Sequence, residues 1–526
     1  MCGIAGFCNF KEDFEENTDY WNFRLEKMRA VLAHRGNDAR GRYLKKHIGL
    51  SHSRLAIRDI LCGDQPMTRT HNGYEYTICY NGEIYNTDEL IPELSENGFV
   101  CSTTSDTEVI LYAYIHWGAD FVNRLNGIFA FAIWDAAKSR LLLYRDRVGV
   151  KPLFYAIRGD SLVFGSEPKA CFAHPAVKPE LDKQGLQELL AIGPAHTSGL
   201  SLFKDLFEVL PGHFMIYSRD GLHDETYWEL TSREHTESYR DTVAHTRFLV
   251  EDAIKRQMVS DVPVCTFLSG GIDSSIVTAI AANYMNTRGK TLNTFSFDFK
   301  DNDRYFKANA FQPERDLPYV NRMLEEYETA HSYLECDENS LFKALFAAVD
   351  AKDMPGMTDV DSSLLYFCSL VSRKNKVALT GECADEIFGG YPWFYRKELL
   401  ERYGFPWSSD VAPRLALLRD DVGLELDLSG YQAFRYEESR SKAPLLYGEA
   451  GEDESRRIIG YLNIKWFMQT LLDRMDRTSM YSELEARVPF ADHRIIEYVF
   501  NVPWHMKYQN GVETVSYTHL TLPTIL

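Results

Sequence analysis

The first 200 residues alternate short apolar runs with polar turns, which is the pattern of a strand-rich domain. Two longer stretches, 21–32 and 106–125, repeat apolar positions every three or four residues and therefore predict helices. Strands are predicted at 3–7, 50–57, 74–80, 128–134, 141–144 and 162–165. Sheets and helices in this mixture predict an α+β domain built of packed layers.

From about residue 240 onward, helical periodicity alternates with short apolar strands. This order predicts an α/β domain with a mainly parallel sheet wrapped by helices. Between the two patterns lies a polar stretch with a Pro211-Gly212 turn, so we expect domains at 2–210 and 235–507. The predicted helices are 242–258, 274–285 and 317–327, and the predicted strands are 264–268, 292–297 and 376–379.

Composition narrows the classes of protein that fit the chain. Its 526 residues are 45% hydrophobic and 25% charged, the balance of a globular protein with more than one full core. The net charge of −19 would repel a nucleic-acid backbone, and no apolar stretch is long enough for a bilayer. The ten cysteines are scattered and form no CxxC motif, and no signal peptide is recognisable. We expect a cytoplasmic protein without nucleic-acid or membrane partners.

The start of the chain offers a nucleophile. If Met1 is removed, the thiol of Cys2 lies beside its own α-amine, whose pKa is ordinarily about 7.7–8.0. That amine is able to take the thiol proton and later return it to a leaving amine. Considered alone, Cys2 fits better as a small apolar residue of the first strand.

A series of ordered motifs over residues 2–200 favours the nucleophile. The series resembles the class II glutamine amidotransferase domain, of the N-terminal nucleophile type, and the resemblance implies a four-layer αββα sandwich. The motifs are CGIAGF at 2–7, HRG at 34–36, SHSRLAI at 51–57, YNGEIYN at 80–86, SDTE at 105–108 and RDRVG at 145–149.

The resemblance also implies a role for individual residues. Cys2 attacks the side-chain amide of glutamine, and Asn81 with the backbone N–H of Gly82 forms the oxyanion hole. The remaining residues bind the amino-acid end of glutamine. For these the family implies Arg54 for the α-carboxylate, Asp106 for the α-ammonium and Glu83 in support of the same pocket.

A second motif, Ser269-Gly270-Gly271-Ile272-Asp273-Ser274-Ser275, follows the apolar strand that ends near Leu268. Its glycines allow a close approach of the backbone to an anion, and the following helix N-terminus adds a favourable dipole. Asp273 is a suitable ligand for a Mg²⁺ ion that bridges phosphates. A Gly-Ser turn that simply caps a helix is the alternative interpretation.

The full motif resembles the loop of enzymes that cleave ATP between the α and β phosphates. A matching segment, LTGECADEIFGGY at 379–391, follows another buried strand. The resemblance implies that Asp273 and Asp385 share Mg²⁺ and that Glu382 acts as an acid-base or electrostatic residue. The implied ATP-binding residues are Leu268, Ser269, Gly270, Gly271, Asp273, Ser274, Ser275, Phe297, Thr380 and Gly381.

Taken together, both halves resemble the glutamine-hydrolysing asparagine synthetase family over residues 2–507, with further matches at 473–480 and 485–490. The resemblance implies that glutamine, aspartate and ATP give asparagine, glutamate, AMP and pyrophosphate, with a covered path for ammonia. A homodimer is left open.

Two segments depart from the family. No arginine aligns in 356–363, where the family builds its acceptor site, so another carboxylate, such as a cell-wall or sugar acid, is an alternative acceptor. The tail at 516–526 matches nothing in the family, which predicts a truncated domain with a non-native end that retains the glutaminase alone. The ring-forming β-lactam synthetase type fits less well because it typically lacks the nucleophile, and a non-catalytic protein would not keep these motifs intact.

Overall fold

Antiparallel strands form two six-stranded sheets in the N-terminal half of the computed structural model, which describes residues 2–308, 314–408, 410–509 and 512–513. The strand order is β10-β8-β9-β1-β3-β2 in the first sheet and β12-β11-β7-β6-β5-β4 in the second. The strands are β1 Cys2–Asn9, β2 Ala39–Lys45, β3 Ile48–Arg54, β4 Met67–His71, β5 Tyr74–Ile84, β6 Gly127–Asp135, β7 Arg140–Arg145, β8 Phe154–Arg158, β9 Ser161–Gly165, β10 Phe207–Glu208, β11 His213–Ser218 and β12 Gly221–Thr226.

Alternation along the strands sets the layer order of this half. On β1, Ala5 and Phe7 belong to the apolar cluster shared with helix α1, whereas Ile4 and Cys8 belong to the cluster between the two sheets. The second sheet packs its other face on α2 and α3. The result is the four-layer αββα sandwich that the sequence predicted. Its helices are α1 Thr18–Ala30, α2 Thr87–Glu96, α3 Asp106–Trp117, α4 Pro168–Phe172 and α5 Lys183–Gln187.

The C-terminal half is built on a five-stranded sheet in the order β15-β14-β13-β16-β17, and every pairing in it is parallel. This confirms the predicted α/β domain. Its strands are β13 Val264–Phe267, β14 Leu292–Phe299, β15 Thr329–Cys336, β16 Val377–Leu379 and β17 Glu485–Arg487, and a separate pair is formed by β18 Tyr508–Gln509 and β19 Val512–Glu513.

Helices of very different length surround this sheet. They are α6 Tyr239–Arg256, α7 Ile272–Asn286, α8 Asn302–Tyr305, α9 Leu317–Glu326, α10 Glu338–Lys352, α11 Thr358–Val371, α12 Ala384–Phe388, α13 Pro392–Tyr395, α14 Lys397–Leu400, α15 Ala412–Leu415, α16 Asp420–Leu426, α17 Leu428–Arg440, α18 Glu452–Leu462, α19 Met468–Tyr481, α20 His493–Asn501 and α21 Trp504–Lys507. Within the described residues, no helix is both long and apolar enough to cross a membrane.

Two differences from the sequence prediction concern where a helix and a domain end. The helix predicted over 106–125 ends at Trp117, because Gly118 takes a φ of 74°, and a short 3₁₀ helix follows. Strands β11 and β12 extend the second sheet to Thr226, beyond the predicted end of the first domain at 210. The tail predicted to be non-native, 516–526, lies outside the described residues.

The two halves share a core and several buried charges. One apolar cluster combines Leu55 and Ile128 of the N-terminal half with Ile254 and Val264 of the C-terminal half. Asp476 on α19 accepts hydrogen bonds from Arg35 at 2.8 Å and from Lys151 at 3.0 Å, and all three side chains are buried. The N-terminal sandwich is therefore fixed directly against the sheet of the C-terminal half.

Candidate active sites

The first strand places Cys2 beside the second sheet. Cys2 opens β1, pairs with Arg54 on β3, and is buried. Its backbone nitrogen lies 2.9 Å from Oδ1 of Asn81, and its carbonyl oxygen accepts from Nε of Arg35 at 3.1 Å. Burial raises the pKa of the Cys2 thiol, although the positive charge of Arg54 opposes this shift. The thiol consequently needs a base before it attacks a substrate.

Asn81 and Gly82, on β5, form an arrangement that suits an oxyanion. Within the described part of the chain, Nδ2 of Asn81 is buried and has no hydrogen-bond partner. Gly82 has a φ of 155°, and a Cβ at this position would approach the carbonyl oxygen of Ile128 to 2.1 Å, so only glycine fits. A buried donor without a partner costs free energy, which a developing negative charge recovers.

We expect Asn81→Ala to lower kcat for glutamine hydrolysis by about 10²–10³-fold, because a donor to the developing oxyanion is removed. KM for glutamine should change by less than about 3-fold, since the bond strengthens mainly in the transition state. Steady-state glutaminase kinetics measure both constants. Asn97→Ala, at the end of α2, is the matched control. An unchanged kcat in Asn81→Ala would remove this residue from the oxyanion hole.

Five of the predicted glutaminase residues line one cavity, and the sixth, Asn81, contacts Cys2 from β5 of the second sheet. The cavity measures about 30 Å³. Arg58 and Gly63 of the segment 58–64 contribute to its wall. The lining includes Cys2, Arg54, Gly82, Glu83 and Asp106.

Arg54 holds that segment in place. Its guanidinium pairs with Asp64 at 2.9 Å and binds the carbonyl oxygens of Arg58, Asp59 and Ile60. The donors that were predicted to bind the α-carboxylate of glutamine are therefore occupied by the protein itself here. Asp64 itself is largely exposed.

The two carboxylates of the cavity differ in their surroundings. Asp106 accepts from the hydroxyl of Tyr80 at 2.8 Å and from the N–H of Ile84 at 3.0 Å. Glu83 pairs with Arg58 at 2.9 Å and with Arg487 at 3.2 Å. Burial and the nearby negative charge of Asp106 raise the pKa of Glu83 to about 8. Asp106 is thus the carboxylate without a cationic side chain in its hydrogen bonds.

The structure adds residues to this site that the sequence did not reveal. Glu485 of β17 lines the same cavity although it belongs to the C-terminal half, and Arg58 and Tyr80 also line it. Arg58 and Tyr80 lie in or beside the quoted motifs, whereas Glu485 is separated by about 400 residues. In the sequence, Glu485 belongs to the EARVPF segment at 485–490, which matches the family but which predicted no role for this residue.

A second cavity, of about 480 Å³, lies at the carboxyl ends of β13 and β16. These strands are neighbours, so the loops that follow them meet at one edge of the sheet, where ligands of open α/β sheets bind. The loops approach closely at Gly381, where a Cβ would lie 2.7 Å from the backbone nitrogen of Ser274. The predicted residues on the lining are Ser269, Gly271, Asp273, Ser274, Thr380, Gly381, Glu382 and Asp385.

Four residues predicted to bind ATP are not on the described lining of this cavity: Leu268, Gly270, Ser275 and Phe297. Leu268 is buried in the shared apolar core, and its carbonyl oxygen accepts from Ser296 at 2.6 Å. The ring of Phe297 packs against Phe367 at 5.2 Å. These two side chains therefore pack in the apolar interior and do not face the cavity.

Carboxylates are crowded at the inner end of the second cavity. Burial and the negative charge of Glu382 raise the pKa of Asp385 to about 6, and burial raises that of Glu386 to about 8. The hydroxyl of Tyr391 donates to Glu386. Within the described residues, no group of three histidine, cysteine or acidic side chains is placed to hold a metal ion by itself.

Arg474 of α19 supplies a cation at the same cavity. Its Nη2 lies 3.1 and 3.3 Å from the two carboxylate oxygens of Glu382. Within the described residues its Nε is buried without a hydrogen-bond partner. No arginine was found in 356–363 from the sequence. The fold instead brings one from more than a hundred residues further along the chain.

Comparison with known proteins agrees with this geometry. Residues 1–228 match the model of a glutamine amidotransferase domain, and residues 245–515 match the asparagine synthase model. The two matches define a glutamine amidotransferase joined to a synthase. Asparagine synthetase [glutamine-hydrolyzing] 3 of Bacillus subtilis is 48% identical over 98% of this chain and 83% of its own length. The chain therefore belongs to the asparagine synthase family.

Two more distant similarities complete the comparison. Amidase chyE of Penicillium rubens is 30% identical over 96% of this chain and 83% of its own length. The solved structure of glutamine phosphoribosylpyrophosphate amidotransferase from B. subtilis, complexed with ADP and GMP, has 18% identity and a TM-score of 0.34. That similarity covers 59% of this chain and 69% of the other.

Proposed function

We propose that this chain transfers the amide nitrogen of glutamine to aspartate at the expense of ATP, giving asparagine, glutamate, AMP and pyrophosphate. The observation that carries the proposal is the presence of both sites in one chain. A nucleophile with an unpaired amide donor lies in one half, and a glycine-rich loop beside carboxylates lies in the other. Family membership adds the reaction of the relative that is 48% identical.

In the glutaminase half, the Cys2 sulfur attacks the amide carbon while the α-amine takes the thiol proton. Nδ2 of Asn81 and the N–H of Gly82 hold the oxygen that becomes negative. Collapse of this intermediate releases ammonia, which receives the proton back from the α-ammonium, and leaves a thioester on Cys2. Water then hydrolyses the thioester to glutamate.

In the synthetase half, the loop at 269–275 binds the phosphates of ATP. A carboxylate oxygen of aspartate attacks the α-phosphorus and pyrophosphate leaves. Ammonia then attacks the acyl carbon, AMP leaves, and the surplus proton on nitrogen passes to a base. Glu382 is placed for this proton because it lies on the cavity beside Gly381.

Mg²⁺ fits the donor set of this cavity. Asp273 and Asp385 both line it, and Mg²⁺ in proteins is usually held by one or two carboxylates together with substrate phosphates. Burial and the negative charge of Glu382 raise the pKa of Asp385, and a cation would offset that charge. When bound, Mg²⁺ supplies positive charge against the phosphates.

Arg474 is the residue that we propose for the second carboxylate of the acceptor. It lies next to Glu382 and on the same cavity as Met357, which lies in the segment 356–363, and Leu364, which follows that segment. A planar guanidinium suits a carboxylate. This supports a dicarboxylic acceptor such as aspartate. Comparing aspartate with monocarboxylic amino acids in the synthesis assay tests the proposal, and equal turnover would contradict it.

The remaining features of the proposal concern surroundings and partners. All ten cysteines are unpaired in the structure, which supports a reducing compartment such as the cytoplasm. The net charge of −19 supports small-molecule partners over nucleic acid. A homodimer stays a prediction.

The deciding experiment uses glutamine labelled with ¹⁵N in the amide, together with ATP, Mg²⁺ and aspartate, and analyses the products by mass. Label in asparagine, with AMP and pyrophosphate in equal amounts, is expected. Label that appears only in free ammonia would refute the proposed synthesis and retain the glutaminase. Replacement of aspartate by sugar acids in the same assay tests the alternative acceptors.

A further inference from the structure

The C-terminal half contributes a carboxylate to the cavity of the nucleophile. Glu485 of β17 is fully buried and lines the cavity together with Cys2, Asp106 and Gly82. Burial is the main cause of the raised pKa of the Cys2 thiol, and the negative charge of Glu485 adds to it. A third carboxylate in this cavity, beside Glu83 and Asp106, is unfavourable unless positive charge faces it.

Arg487, two residues along the same strand, fixes the position of Glu485. Its Nε donates to Glu485 at 2.6 Å, and its Nη2 donates to Glu83 at 3.2 Å. Its Nη1 binds the carbonyl oxygens of Gln257 and Val259. Every nitrogen of the guanidinium is thus engaged, and the arginine is fully buried. Glu485 is therefore held at one place on the wall of the cavity.

Glu485 is ionised in these surroundings. Burial disfavours the charge, but the neighbouring positive charges, including Arg487 and Lys151, lower the pKa of Glu485 to about 2. A permanent carboxylate on this wall favours a positive group near Cys2. The mature N-terminus provides such a group, because its nitrogen belongs to Cys2, which lines the same cavity as Glu485.

We propose that Glu485 is a positioning residue for the α-amine of Cys2, which it stabilises in the protonated form that follows proton transfer from the thiol. This inference rests on the proposed glutaminase function. The proton balance is unchanged: the thiol gives its proton to the amine, Glu485 stays ionised and stabilises the resulting ammonium, and the ammonium returns the proton to the leaving ammonia. The C-terminal half thereby tunes the base of the N-terminal site.

The pH dependence of glutamine hydrolysis tests this role. Glutamine turnover requires the unprotonated amine, so kcat/KM should rise with pH through the pKa of that amine. Glu485→Gln removes a negative charge, lowers the pKa of the amine, and should move this rising limb to lower pH by about one unit. The other charged groups around Cys2 and Glu485 stay in place; they are Arg35, Arg54, Lys151, Arg487, Glu83 and Asp106.

The kinetic constants should separate as well. We expect kcat at the plateau to fall by about 10-fold, because a less basic amine is a poorer acceptor for the thiol proton, with little change in KM for glutamine. A larger KM with an unmoved limb would show that Glu485 binds the substrate, and would overturn the proposal. Glu449→Gln is the matched control, since Glu449 also pairs with an arginine, Arg457, but lies elsewhere.

A second variant covers the outcome in which Glu485→Gln does not fold. Glu485→Asp keeps the charge but withdraws it by one methylene, so the limb should move in the same direction by a smaller amount. A folded Glu485→Asp enzyme with the wild-type limb would overturn the proposal. Glutamine hydrolysis that survives Cys2→Ala would instead contradict the proposed function itself, so the two failures are distinguishable.

Discussion

Replacement of Cys2 by alanine is expected to reduce glutamine hydrolysis by about 10⁴-fold or more, because the covalent route loses its nucleophile. Synthesis from added ammonium chloride should stay near the unmodified rate, since the cavity at 269–275 and 380–385 lies in the other half of the chain. Coupled assays for glutamate and pyrophosphate measure the two activities separately.

Two controls accompany the Cys2→Ala variant. Cys101→Ala replaces a half-buried cysteine outside the cavity and should leave both activities intact. An intact-mass spectrum of the unmodified protein should show that Met1 has been removed, because the mechanism needs a free α-amine on Cys2. Undiminished glutamate release by Cys2→Ala, or retention of Met1 in active enzyme, would contradict the assigned nucleophile.

The second large effect is expected for Asp273→Asn, which removes one carboxylate from the ATP cavity. Release of pyrophosphate should fall by about 10²–10³-fold, because the charge that faces the cation on the phosphates is lost and each 1.36 kcal/mol of lost stabilisation costs tenfold in rate. The apparent affinity for Mg²⁺ should fall as well. Glutamine hydrolysis without ATP should be unaffected.

A pyrophosphate-release assay over a range of Mg²⁺ concentrations measures this effect. Asp453→Asn, on α18, is a matched control because the Asp453 side chain is 73% exposed and lies outside the ATP cavity. If Asp273→Asn released pyrophosphate at the normal rate with an unchanged dependence on Mg²⁺, Asp273 would have no role at the phosphates.

Local signals in the sequence were sufficient for much of the fold. Each predicted strand is present in the structure. On β1, for example, successive apolar side chains point to opposite faces of the first sheet and pack in two different clusters. Helix 106–125 was predicted too long, since periodicity continues through Gly118 although its backbone does not. Strands β11 and β12 were missed because the Pro211-Gly212 turn indicated a boundary where the sheet in fact continues.

The sequence also predicted only part of each candidate site. Asn81, Gly82 and Glu83 are consecutive, so a short motif was enough to identify them together. Glu485 and Arg474 reach their cavities only through the parallel sheet and helix α19, and residue spacing contains no signal for such contacts. Leu268 and Phe297 were assigned to ATP, yet the described cavity lining does not include them.

The shared core has a consequence for how the molecule unfolds. Leu55 and Ile128 pack in one cluster with Ile254 and Val264, and Asp476 is buried between Arg35 and Lys151. Separating the halves would expose this apolar surface to water and break the buried ion pairs that join them. We therefore expect both catalytic activities to be lost over the same temperature range on heating. Calorimetry should show a single transition, with no separate unfolding of the N-terminal half.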